Sequence, residues 1–131
     1  MTNPKQQNYF MPPEWYPHEC CWMQWPHEFQ NKNSYQEVES WSHFDFEKGR
    51  HKWAEVAKAI SNYEKVNMIV HPQDIEIAKK LLNDSIYIFE FYNDDCWARD
   101  SGATFLLNYK KKLGGVDWEF NGCGKFTSHD C

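Results

Sequence analysis

Two strand-length apolar runs, "KVNMIV" (65–70) and "IYIFEF" (86–91), flank a proline-led segment whose apolar residues recur at helical spacing. Strand, helix and strand in that order indicate an α/β chain. Pro72 suits the first helical turn, and Asp74 lies close to its positive end. Ile75, Ala78, Leu81 and Leu82 form the apolar face of that helix.

The pattern extends in both directions. Upstream, Phe46, Arg50, Trp53, Val56, Ala57 and Ile60 recur at intervals of three and four, so a helix is predicted from Phe46, fraying near Ser61 and Asn62. "CCWMQW" (20–25) predicts a short buried strand closed by Pro26. Residues 1–17 are polar and punctuated by proline, which predicts an extended start with 1–11 irregular. Residues 27–45 show no clean period and read as a long loop. Downstream, "ATFLLN" (103–108) and "VDWEFN" (116–121) predict a hairpin around a turn at "KKKLGG" (110–115). The order strand, helix, strand, helix, strand, strand, strand predicts an α/β fold with a mixed sheet. No linker interrupts residues 1–131, so a single domain is expected.

Charge and composition narrow the partners. The net charge is −5 and no Lys/Arg stripe exists, which argues against nucleic acid. No apolar stretch approaches the ~18 residues of a membrane helix. The opening "MTNPKQQNYF" lacks the apolar centre of a signal peptide, so the expected compartment is the cytoplasm. Five cysteines (Cys20, Cys21, Cys96, Cys123 and Cys131) fit reduced thiols, since their number is odd and their spacing shows no disulfide framework.

The segment with most chemistry is "YNDDCWARDSG" (92–102), which follows one predicted strand and precedes another. Strand ends suit functional groups because a rigid sheet holds them while the loop gives access. Trp97 and Asp100 are three apart. A carboxylate accepts two parallel N–H bonds and an indole face attracts positive charge, so the pair suits a planar, forked guanidinium. Arg99 could pair with Asp94 or Asp95 and leave Asp100 free. The competing reading is an Asx-rich turn with Trp97 as a core plug and Arg99 in a structural ion pair. Other constellations are poorer. His18, Cys20, Cys21 and His27 match no zinc spacing, so no metal is expected. "NGCGKFT" fails as a phosphate loop, because Phe126 stands where Ser or Thr is needed.

Four segments, "MPPEWYPHECCWMQWP" (11–26), "WAEVAKAI" (53–60), "NDDCWARDSGATFLLN" (93–108) and "GVDWEFNGCGK" (115–125), come in the order seen in agmatine deiminases. The chain therefore resembles the bacterial peptidyl-arginine deiminase family over Met11 to Lys125. The resemblance implies the α/β propeller of the guanidine-modifying enzymes, with five ββαβ-type units, of which this chain would hold only the N-terminal part. It implies hydrolysis of agmatine to N-carbamoylputrescine and ammonia through an amidino-cysteine, in putrescine synthesis, without a cofactor. It assigns guanidinium binding to Asp100, the lining of the substrate pocket to Trp97, and support of the loop to Asp95 and Arg99. The family's nucleophilic cysteine and catalytic histidine lie further along a longer chain, and none of the five cysteines matches that motif. The expectation is a chain inactive by itself, whose uncovered propeller edges favour self-association.

Two further readings stay open. One is a non-catalytic chain that binds a guanidinium ligand or a partner. The other is an α/β domain whose three loop aspartates hold a divalent metal, against which Trp97 and Arg99 in their midst argue.

Overall fold

The computed structural model describes residues 3–28, 45–93 and 96–118. Their contacts divide into two compact units, one of His18–Ala98 and one of Met1–Pro17 with Arg99–Cys131.

The larger unit is built on a parallel sheet of β2 (Cys21–Gln24), β3 (Val66–Val70) and β4 (Ile86–Glu90), with β3 in the centre. Its register places Trp22 beside Asn67 and Asn67 beside Tyr87. Two helices supply the crossovers, α1 (Phe46–Ser61) and α2 (Ile75–Leu81). Asp45 caps α1 by accepting from the Lys48 amide at 3.0 Å. Pro72–Asp74 form a 3-10 turn that leads into α2, where proline costs no hydrogen bond.

The core gathers Trp25, Ala54, Ala57, Val66, Met68, Val70, Ala78, Leu82 and Ile86. The small residues Ala54, Ala57 and Ala78 are the ones the two helices bury, which lets their backbones come close to the sheet. Val66, Met68 and Val70 are fully buried, each worth about 1.5–3 kcal/mol in transfer from water. Val56, expected on the apolar face of α1, is exposed instead. Ala54 takes its place, because a helix seated close on a sheet buries its smallest side chains.

The opposite sheet face is open. Trp22, Tyr87 and Phe89 remain partly exposed on it, with ring centroids 4.9 Å apart for Trp22 and Phe89 and 4.8 Å for Tyr87 and Phe89. Between them Asn67 is buried; its amide donates to Cys20 Sγ at 3.1 Å, and its carbonyl finds no partner among the described residues.

The smaller unit is an antiparallel sheet in the order β1–β5–β6, formed by β1 (Tyr9–Phe10), β5 (Thr104–Asn108) and β6 (Leu113–Val116). Here the expectations shift. The start of the chain is not wholly irregular: Pro4–Gln7 make a 3-10 turn and Tyr9–Phe10 pair with Leu107 and Asn108. The hairpin forms, but its second strand begins at Leu113, inside the expected turn. The reversal is confined to Tyr109–Lys112, because Asn108 Oδ1 accepts from the amides of Lys110 and Lys112 and Lys111 takes a positive φ of 59°. Gly114 then admits the Tyr9 ring; an added Cβ would meet Tyr9 Cε1 at 2.9 Å. Among the described residues, the single mixed sheet is thus replaced by one parallel and one antiparallel sheet, both open. The loop expected over 27–45 lies mostly outside the described residues, as do 119–121 of the second hairpin strand.

Candidate functional site

The acidic segment leaves β4 under restraint. The Phe91 amide extends the ladder to the Val70 carbonyl at 3.0 Å, and Asn93 Nδ2 donates to the Trp25 carbonyl at 3.1 Å. The ends of β2, β3 and β4 are therefore tied to one another where the segment begins. Parallel sheets commonly present their functional groups at this end of the strands.

Trp97 follows, 48% exposed, with its ring meeting Trp53 of α1 edge to face at 5.7 Å and 73°. It is not a core plug. A four-residue helix, α3 (Ala98–Ser101), comes next, in place of the expected loop. It presents Asp100 to solvent. Arg99 Nη1 donates to Glu14 Oε1 at 2.8 Å, so the arginine is held by the acid of "MPPEW". Asp94 and Asp95 lie outside the described residues. Trp97 belongs to the larger unit, and Arg99 and Asp100 to the smaller.

A second constellation, not assigned by sequence reasoning, sits at the same strand ends within the larger unit. Asp74 is buried, with Oδ1 2.9 Å from Arg50 Nη2 and Oδ2 2.8 Å from His27 Nδ1. Arg50 Nε also donates to the Pro26 carbonyl at 3.1 Å. His27 stacks on His71 with centroids 3.7 Å apart, and Tyr92 meets His71 edge-on at 5.1 Å. Burial, then the nearby His27, push the His71 imidazole below its ordinary value, against a smaller pull from Asp74. Arg50 on an apolar helical stripe was the available signal, since a buried guanidinium requires an acid.

Cys21 offers little nucleophilic character. Burial raises the Cys21 thiol above its ordinary value, with Glu64 and Cys20 adding to the effect. A raised thiol is mostly protonated near neutrality and poorly nucleophilic. Cys20 accepts from Asn67, and Cys96 is half-buried. His18 pairs with Glu64. Cys123 and Cys131 lie outside the described residues.

Residues 10–131 match the sequence profile of the Porphyromonas-type peptidyl-arginine deiminase family. The chain belongs to that family. A Legionella pneumophila (strain Paris) relative is 44% identical to this deiminase-family chain over 124 residues, which cover 94% of the chain and 33% of the relative. The agmatine deiminase of Ectopseudomonas mendocina (strain ymp) is 35% identical over 127 residues, covering 95% and 32%. The structure of the agmatine deiminase of Enterococcus faecalis superposes with a TM-score of 0.70 at 32% identity, over 90% of this chain and 30% of that one. This deiminase-family chain thus spans about a third of the length of the relatives it matches. Its mixed α/β architecture is the one found in those agmatine deiminases. Among the described residues, no helix is long and apolar enough to cross a membrane.

Proposed function

We propose that this chain supplies the guanidinium-gripping part of an agmatine deiminase acting in the cytoplasm, within a propeller of five ββαβ-type units. Asp100 accepts N–H bonds from the substrate guanidinium, and Trp97 offers it a ring face. Arg99 supports the loop rather than the substrate, and Asp95 shares that supporting role. The observation that carries this reading is the pairing of Arg99 with Glu14, since the arginine nearest in sequence to Asp100 is engaged by another acid.

A guanidinium is resonance-stabilised and a poor electrophile. Carboxylates that hold it in one plane keep positive charge on the carbon under attack. A cysteine thiolate then adds to that carbon, ammonia leaves with a proton supplied by a histidine, and an amidino-cysteine remains. Water attacks the same carbon and gives a proton back to the histidine, the thiolate departs, and N-carbamoylputrescine is released. Neither that thiolate nor that histidine is assigned to a residue of this chain, so the 131-residue chain releases no ammonia by itself.

Calorimetric titration of the chain with agmatine tests the binding half of the proposal. Saturable heat that disappears in Asp100→Asn supports it; equal heat in both sinks it. Ammonia release from agmatine by the purified chain would contradict the assignment of catalysis elsewhere.

A second reading, association with another copy or a partner chain, is favoured by the open aromatic sheet face at Trp22, Tyr87 and Phe89. Exposed apolar patches of this kind mark surfaces that other chains cover.

A further inference from the structure

Trp97 stands in irregular backbone between the bend at Cys96 and the four residues of α3. An indole there swings about two side-chain torsions unless a neighbour stops it. Trp53 is such a neighbour, and its own place is fixed. It adjoins buried Ala54 on α1, and one turn earlier Arg50 ties the same helix to the Pro26 carbonyl and to Asp74. The two rings meet edge to face, the arrangement that ring quadrupoles favour over a sandwich. Whichever ring contributes its edge, Trp53 itself lies against at most one face of Trp97, which stays 48% exposed. A cation needs a ring face, held still and desolvated on its other contacts.

We propose that Trp53 is a positioning residue for Trp97: its ring transmits the rigidity of α1 to the Trp97 indole and holds it in place. What the indole is held for rests on the guanidinium reading above; the holding itself does not. Trp53 touches no substrate in this account. The sequence alone makes it one more residue of an apolar helical stripe.

Fluorine NMR of the whole chain labelled with 5-fluorotryptophan separates the two. The seven tryptophans give seven resonances, assigned by single Trp→Phe variants. Trp53→Leu keeps apolar bulk and removes the ring. The Trp97 resonance is expected to move and narrow, while the resonance of buried Trp25 stays in place. Trp53→Phe, which restores a ring edge, is expected to return Trp97 most of the way to its original position. An unmoved Trp97 resonance in Trp53→Leu overturns the proposal. Should Trp25 shift as well, the fold has been disturbed, and the reciprocal variant decides. Trp97 is half exposed, so Trp97→Leu spares the core, and an unmoved Trp53 resonance in it overturns the proposal equally. Agmatine then tests the rest. It should shift the Trp97 resonance of the unsubstituted chain, with affinity weakened roughly two- to tenfold in Trp53→Leu. If agmatine leaves Trp97 unmoved while Trp53→Leu moves it, the guanidinium reading fails and the positioning role stands.

Discussion

Arg50 Nη2 lies 2.9 Å from Asp74 Oδ1, and both side chains are almost wholly withdrawn from water. The contact joins α1 to the turn that opens α2, while His27 takes the second carboxylate oxygen at 2.8 Å. Asp74 therefore does not cap α2 with its side chain, although its position in sequence suggested an interaction with the helix end.

Removing one member of this network leaves the other charges buried without a partner. Asp74→Ala is expected to cost about 3–5 kcal/mol in chemical denaturation. The double variant Arg50→Met, Asp74→Leu should cost clearly less than Asp74→Ala alone, since it leaves no buried guanidinium. A double variant as unstable as the single one would show that packing, not charge, dominates here.

His71 gives a pH dependence of known direction. Its folded-state value lies below the ordinary 6.5, so the neutral ring is favoured in the fold. The associated stability is intact above the unfolded-state value and is lost as pH falls through the lower folded-state value, because the unfolded chain then binds the proton more readily. Tm should fall between about pH 7 and pH 5, the range in which histidine changes charge. His71→Asn should flatten part of that fall. An unchanged slope in the variant would remove His71 from the account.

Gly114 is predicted to be sensitive because of what lies over it. Gly114→Ala drives a methyl group into the Tyr9 ring, with an expected loss of about 1 kcal/mol or somewhat more. In a Tyr9→Ala background the same substitution should be nearly neutral. Thermal unfolding of the four proteins measures the difference, and equal losses in both backgrounds would refute the steric cause.

The open face around Trp22 and Phe89 predicts association of the chain with itself. Sedimentation velocity should show mass rising with concentration, and Trp22→Glu should shift the distribution toward monomer. A compact monomer at every concentration, with or without the substitution, would count against the second reading of function.

Much of the larger unit was legible in the sequence because apolar period and strand length agree there. Val66–Val70, Ile86–Glu90 and Phe46–Ser61 stand where alternation and helical spacing put them. Their arrangement in two sheets was not legible, since β1 is only two residues long and carries no periodic signal. The candidate site was half legible. Residue type and spacing isolate Trp97, Arg99 and Asp100, but the partners of Trp97 and Arg99 come from far along the chain: Trp53 and Glu14. The Arg50, Asp74 and His27 network escaped for the same reason. Each residue has an ordinary local explanation, and only the fold brings them within 3 Å.

The pairing of Tyr9 with Asn108 bears on how the chain is made. At ribosomal speeds of about 5–20 residues per second, roughly 5–20 s separate the emergence of one strand from that of its mate. Throughout that interval Tyr9 and Phe10 wait for β5, whereas β2, β3 and β4 can zip together as soon as Glu90 clears the exit tunnel. A chaperone that shelters nascent chains would therefore be expected to hold Tyr9 and Phe10 longer than the strands of the parallel sheet.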